Sequence, residues 1–225
     1  MEERRQFMLE FSPQIDFQDQ IRDYFDWEIS HDRESARRLS RAAISNFSID
    51  LSPYDKIGII GAATSKKDIV ETDIDFFIVA DGSIGAIDDL SKVLFIVSDA
   101  DGFPYLNRAI EARIPIALHA HGDNMEAWEH LLTLLGDDYP LMLTHQVPDK
   151  IEGMVNPGGF TDGDRAVCLA MMLGLKQEGC ELIGFSTNSI GQWSGVTNEA
   201  LKLKKLAWME KILNVHGFFI PSSKT

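Results

Sequence analysis

The side chains able to do chemistry follow a pattern: Gly61 to Ser65, Asp81, Asp99 with Asp101, and His121 with Asp123 each close a short apolar run. In a parallel sheet such positions are the carboxyl ends of strands, the edge at which open α/β sheets bind ligands. Asp99 and Asp101 are two apart, as are His119, His121 and Asp123, so strands that extend that far point each set to one face. Carboxylates converging on one edge repel unless a cation sits among them, and hard oxygen donors favour Mg²⁺ over softer metals. A nucleotide is the consistent companion of such a site. The competing reading, that each Asp starts a turn or caps a helix, accounts for single residues better than for the whole set.

GAATS (61–65) falls in the first strand-to-helix turn, where exposed N–H groups suit a phosphate and Lys66 or Lys67 stands beside it. It is neither a dinucleotide fingerprint nor a P-loop, because the glycine spacing and the Gly-Lys-Ser/Thr ending are missing, and a tight turn without a ligand explains it equally well. His119, His121 and Asp123 are ligand types for zinc, but a third strong ligand at recognisable spacing is missing and no Cys is near. A hydrogen-bonded histidine at a polar strand end is the commoner outcome, and His121 can still touch phosphate.

These residues need elements to hold them. From Lys56 onward the chain alternates apolar runs with helix-like segments: KIGIIGA (56–62), DFFIVADG (75–82), VLFIVSDADG (93–102), IPIALHAHGDN (114–124), PLMLTHQVP (140–148) and ELIGFSTN (181–188). Runs apolar on both faces and separated by helices predict an α/β, Rossmann-like, mostly parallel doubly wound sheet of about six strands. MEAWEHLLTLLGD (125–137) carries Trp128, Leu131, Leu132 and Leu135 on one stripe, and Gly136 marks its end. Thr161 with Asp164 three residues on gives a capping-box start to DGDRAVCLAMMLGL, and NEALKLKKLAWMEKIL (198–213) is amphipathic. The first fifty residues lack β patterning, and residues 32–47 place Ala36, Leu39, Ala42, Ala43 and Phe47 at helical spacing. The expected organisation is a helical N-terminal appendage over residues 1–50 and a Rossmann-like domain over 51–225.

With 225 residues, 44% hydrophobic and 25% charged, the chain can bury one sizeable core. A formal charge of −14 argues against nucleic acid or an anionic membrane as a partner. Cys168 and Cys180 lack the spacing of a zinc or redox pair, the opening MEERRQFMLEF has no apolar core of signal-peptide length, and no apolar run reaches membrane-span length. The expected location is the cytoplasm. Oligomeric state stays open, a homo-oligomer included.

In this order, VADGS (79–83), SDADG (98–102), HAHGDN (119–124) and GGFTDGDRA (158–166) resemble the archaeal MptE-like 6-hydroxymethylpterin diphosphokinases, and the likeness continues through IGQWSG (190–195) and KLKKL (202–206). HGDN with GGFTDGDRA is its most specific part. Two departures are visible: GAATS stands where a more glycine- and proline-rich turn is expected, and SDADG where T-D-x-D-G is usual. The ADG and D-x-D elements are similar to thiamin pyrophosphokinases as well.

The resemblance implies ATP as donor, Mg²⁺ as cofactor, a hydroxymethyl pterin as acceptor, and a place in methanopterin or folate biosynthesis in an archaeon. It implies attack of the pterin hydroxymethyl oxygen on the β-phosphorus of ATP with release of AMP. Asp81, Asp99, Asp101 and Asp123 are the implied metal-binding and catalytic carboxylates. Gly61, Ser65, His121, Asn124, Lys202 and Lys205 are candidates for ATP, and Asp162, Asp164 and Trp193 for the pterin, whose N–H edge suits carboxylates and whose flat ring suits an aromatic cover. Capping by Asp162 and Asp164, core packing of Trp193 and a solvated face for the lysines are the competing roles. A polymerase-β-like nucleotidyltransferase is a rival, because GAATS followed by Asp73 and Asp75 mimics its G-S and D-x-D pattern. Asp75 and Asp81 bracket one strand, however, and six residues at about 3.3 Å each hold them roughly 20 Å apart. A non-catalytic nucleotide-binding module is the other alternative.

Overall fold

The computed structural model describes residues 12–195 and 198–220; the MEERRQFMLEF segment lies outside them. Two helices, α1 (Ser12–Phe25) and α2 (Ile29–Ala42), precede β1 (Ile57–Ile60), α3 (Lys66–Glu71), β2 (Phe77–Ala80), β3 (Val93–Ser98), α4 (Leu106–Glu111), β4 (Ile116–Ala120), α5 (Met125–Leu134) and β5 (Leu141–His145). There follow β6 (Met154–Val155), α6 (Asp162–Met172), β7 (Cys180–Ile183) and α7 (Glu199–Val215). Among these residues no helix is long and apolar enough to cross a membrane.

All seven strands are parallel, in the order β6-β5-β4-β3-β2-β1-β7. From β1 to β6 each strand is laid beside the last in one direction, and β7 then returns to the free side of β1. Crossovers of one hand therefore place the earlier helices on one face, and the reversal sends α6 to the other. The side chains obey this division. Ile59, Ile78 and Val97 meet Ala166, Val167 and Ala170 of α6, with Leu206 and Met209 of α7 behind them. On the opposite face Leu118 and Leu143 meet Leu39 of α2 and Trp128 of α5, while Val79 and Ile96 meet Leu106 and Ala109 of α4. Both sheet faces are covered, which is why the strands read as unbroken apolar runs.

Among the described residues seven strands stand where about six were expected. The extra one, β6, has two residues and no apolar run to announce it; two residues of β5, Leu143 and Thr144, pair with it. The helix expected over 32–47 starts earlier and stops at Ala42. Beyond it the chain turns extended to serve β5: Asn46 and Phe47 both donate to Leu141 O at 2.9 Å, and Leu141 N donates to Asn46 Oδ1 at 2.8 Å. Backbone pairing at the foot of a strand outweighs the helical spacing of Ala43 and Phe47. Helices α5, α6 and α7 lie where their stripes and caps put them, with Asn198 accepting from Leu201 N at 3.0 Å to open α7.

Leu39 is fully buried between α2, β4, β5 and α5. Leu39→Ala is expected to cost about 2–5 kcal/mol, read as a lower urea midpoint of one transition seen identically by tryptophan fluorescence and circular dichroism. Two separated transitions would show that the N-terminal helices melt apart from the sheet.

Candidate active site

The turn after β1 is tied to β7 more tightly than its sequence suggests. Ala63 N donates to Gly184 O and Thr64 Oγ1 to Ile183 O, each at 2.8 Å. A Cβ at Gly61 would come within 2.6 Å of Gly184 O, so only glycine allows this approach. Gly61, Ala62 and Ala63 line a cleft at the carboxyl edge of the sheet. Ser65 does not: its hydroxyl and N–H form a capping box with Asp68 that opens α3.

Asp81 follows β2 in the left-handed region at φ 40°, and Ala100 sits there too at φ 72°. β3 ends at Ser98, so strand alternation does not align Asp99 with Asp101; the left-handed Ala100 between them turns the chain instead. Such a conformation costs an Ala about 1–2 kcal/mol, held here by Ala100 N donating to Ser98 Oγ at 2.9 Å while Ser98 Oγ donates to Asp81 Oδ1. A Cβ at Gly102 would collide with the Asp81 carboxylate.

The result is that carboxylate oxygens of Asp81, Asp99 and Asp101 lie within 4.8 Å of one another. At an effective dielectric near 20, two full charges at that distance repel by roughly 3 kcal/mol. Burial first, and then the charges of Asp162, Asp99 and Asp101, push Asp81 well above the usual carboxylate range; burial and Asp99 also raise Asp101. Burial opposes ionisation of Asp99 as well, but the hydrogen bond and charge of His121, helped by Arg165, hold it below the usual range. Asp99 Oδ1 is buried without a hydrogen-bond partner. Three hard oxygen donors, mutually repelling and with one orphaned oxygen among them, fit a hard divalent cation.

Asp123, expected beside these three, lines the same cleft but stands outside their close group: its carboxylate is 77% exposed and lies 2.7 Å from His121 Nδ1, while His121 Nε2 lies 3.3 Å from Asp99 Oδ2. An imidazolium between two carboxylates results. Burial works against its charge, yet the hydrogen bonds to Asp123 and Asp99 raise His121 to about 9, and the same hydrogen bond lowers Asp123 to about 2. Asn124, expected at ATP, is committed to the fold: Nδ2 donates to Asp99 O at 2.9 Å and His119 O at 2.7 Å, and Oδ1 accepts from His121 N at 2.9 Å. His119 is buried against Thr144 and Gln146, and the group able to hold a metal among the described residues consists of aspartates.

The start of α6 separates two aspartates that the sequence put together. Asp164 is buried and accepts from Phe160 N at 2.7 Å, from Thr161 N at 2.8 Å and from the Thr161 hydroxyl, so it is the cap of the helix and not a wall of the cleft. Asp162 lines the cleft and lies 2.8 Å from Arg165 Nη1. Burial, followed by the charges of Asp99 and Asp101, raises it to about 8 against the pull of Arg165. Trp193 also lines the cleft; its Nε1 donates to Thr64 O at 2.7 Å and its ring meets Tyr105 edge-on at 5.0 Å.

Lys202 and Lys205 face the same cleft, with Lys205 Nζ 5.4 Å from the ring centre of Trp27 and 5.8 Å from that of Phe160. Trp27, Phe160, Phe185 and Ser98 were not singled out from sequence. Phe160 lies inside GGFTDGDRA and Phe185 just past a strand, whereas Trp27 follows α1 in a stretch with no site signal. Together with the open solvent at its mouth, the cleft encloses about 1150 Å³. Asp73 and Asp75 are exposed ahead of β2, at the opposite end of the sheet.

No family model matches the chain. It is similar to proteins named 6-hydroxymethyl-7,8-dihydropterin pyrophosphokinase from three archaea. The protein of Pyrococcus furiosus is 29% identical over 182 residues, 75% of this chain and 74% of the relative. That of Methanocaldococcus jannaschii is 31% identical over 150 residues, 61% of each chain. That of Methanothermobacter thermautotrophicus is 40% identical over 103 residues, 43% of this chain and 41% of the relative. The last two matches span less than two thirds of the relative. The resemblance drawn from the motifs is borne out at the level of the chain.

The different duties of Asp162 and Asp164 are measurable without a substrate. Asp162 has a folded value near 8, above the ordinary one, so its contribution to stability is present at about pH 4 and is lost as pH rises through 8. In EDTA at pH 8, Asp162→Asn should therefore melt roughly 2–4 °C above wild type, an advantage that shrinks toward pH 4. Asp164→Ala, which strands two backbone N–H groups, should lose about 2 kcal/mol or more. Equal melting shifts for the two variants would contradict this assignment.

Proposed function

We propose that this chain is a 6-hydroxymethyl-7,8-dihydropterin diphosphokinase of the kind its archaeal relatives are named for, using ATP as donor. The hydroxymethyl oxygen of the pterin bonds to the β-phosphorus of ATP, the bond from that phosphorus to the α,β-bridging oxygen breaks, and AMP leaves with the electron pair. The observation that carries the reading is the convergence of Asp81, Asp99 and Asp101 in a cleft walled by aromatic side chains, in a chain similar to those enzymes.

Phosphate charge is the main obstacle to this reaction, and the protein's part is positioning and electrostatics. Asp81, Asp99 and Asp101 would hold Mg²⁺, whose chemistry here is to neutralise and align phosphate oxygens. Lys202 and Lys205 offer ammonium groups from α7, whereas the N–H groups of Gly61 and Ala63 are spent on Ile183 O and Gly184 O. Asp162, oriented by Arg165, accepts N–H groups of the pterin edge or takes the proton of its hydroxyl, work suited to a carboxyl titrating near 8. Trp193, Phe160 and Phe185 cover the flat ring. The buried, unpaired cysteines suit the reducing cytoplasm, and the product suits synthesis of a methanopterin- or folate-type coenzyme.

AMP release should require the pterin alcohol, and 6-hydroxymethyl-7,8-dihydropterin should be turned over faster than thiamin; the reverse preference would overturn the acceptor. ATP should bind far more weakly in EDTA than in excess Mg²⁺ by calorimetry. Asp101→Asn should lose at least about a hundredfold in kcat, roughly 3 kcal/mol of barrier, whereas the exposed Asp75→Asn keeps turnover per folded molecule. Loss of activity in Asp75→Asn with retention in Asp101→Asn would hand the chemistry to a nucleotidyltransferase site at the other end of the sheet.

A further inference from the structure

Behind the 121–124 turn lies a polar network centred on Asp32. Asp32, in the first turn of α2, is 6% exposed, and both of its oxygens are engaged. Oδ1 accepts from Gly122 N at 2.8 Å and Oδ2 from Gln146 Nε2 at 3.0 Å. Arg22 of α1 closes the network, with Nη1 donating to Gln146 O at 3.0 Å and lying 3.6 Å from Asp32 Oδ2. Gln146 lines the cleft, and its Oε1 lies 3.3 Å from His119 Nε2. The helix comes so near the turn that a Cβ on Gly122 would stand 2.8 Å from His31 Cβ.

Gly122 separates His121 from Asp123, so the direction of its N–H sets the plane from which the His121 ring reaches Asp99. Asn124 secures one side of this turn through His121 N, and Asp32 secures the other. A cap for α2 alone does not need such an arrangement: Asp32 hydrogen-bonds two residues of distant loops, and α2 begins without a side-chain cap. We propose that Asp32 is a positioning residue of the active site, by which the N-terminal helices hold the 121–124 turn so that His121 stays within reach of Asp99. The kinetic part of this inference rests on the diphosphokinase reading; the structural part does not.

The test compares wild type, Asp32→Ala, Asp32→Asn and Leu39→Ala, all full length. In ¹⁵N-labelled protein in EDTA, Asp32→Ala should shift the Gly122 amide resonance and lower its hydrogen-exchange protection at least about tenfold more than Leu39→Ala does. Per folded molecule its kcat should fall about tenfold or more while KM for ATP stays within about threefold, since displacement within the site acts on the reaction more than on binding. Asp32→Asn, which keeps an oxygen for the Gly122 N–H, should recover most of the loss, and Leu39→Ala should keep its turnover. Wild-type kcat in folded Asp32→Ala, an Asn variant no better than Ala, or an unmoved Gly122 amide would overturn the proposal. Should wild type release no AMP with the pterin, the diphosphokinase reading fails by itself. Calorimetric Mg²⁺ titration then decides: weaker binding in Asp32→Ala supports positioning, and equal binding refutes it. If Asp32→Ala does not fold, Asp32→Ser takes its place under the same criteria.

Discussion

Everything at the carboxyl edge of this sheet is arranged around the mutual repulsion of Asp81, Asp99 and Asp101, whose oxygens are held within 4.8 Å of one another. Left alone, such a group would move apart or protonate, and burial strengthens both tendencies. The protein divides the problem. Asp99 is held low by His121 and Arg165, while burial and the neighbouring carboxylates raise Asp81, Asp101 and Asp162. One carboxylate held low beside several raised ones is an arrangement that fits a hard cation.

Keeping the group together is the work of the backbone. Two non-glycine residues, Asp81 and Ala100, adopt left-handed conformations within this one region, and Gly102 lies against the Asp81 carboxylate where no side chain fits. The strain is retained because both flanking strands are buried on two faces and cannot shift. β2 and β3 sit near the middle of the sheet, with α6 pressed across one face and α4 across the other. A parallel sheet covered on both sides is stiff enough to hold an unfavourable turn at its edge, the same property that made its strands readable as apolar runs.

Legibility followed the physics of each element. Strands β1 to β5 announce themselves because burial on both faces demands apolar residues throughout, whereas β6, two residues paired at an edge, imposes no such demand, and the other edge strand, β7, already carries an exposed Glu181. The aspartate cluster was legible as acids closing strands, although the reason offered for Asp99 and Asp101, strand alternation, was not the one the structure uses. Asp164 was placed with the binding residues because its neighbours in sequence are, and sequence adjacency does not say which way a side chain turns once a helix cap competes for it. Trp27 and Asp32 were invisible as site residues because their partners lie about a hundred residues or more away, on elements that only the folded sheet brings near.

Satisfaction of hydrogen bonds separates these roles better than residue type does. Asn124, Asp164 and Asp32 are buried and polar, and each spends its side-chain acceptors on named partners within the chain, which makes them braces. Among the described residues four buried side-chain atoms lack any partner, on Ser83, Asp99, Arg165 and Ser194, and two of these residues, Asp99 and Ser194, line the cleft. An unpaired buried polar atom costs about 1–3 kcal/mol, too much to be kept in one place by accident. Asp99 Oδ1 is the one of the four that belongs to the aspartate group, where a hard cation would pair it. The braces around it, reaching through the 121–124 turn to the first two helices, hold the turn from which His121 meets Asp99.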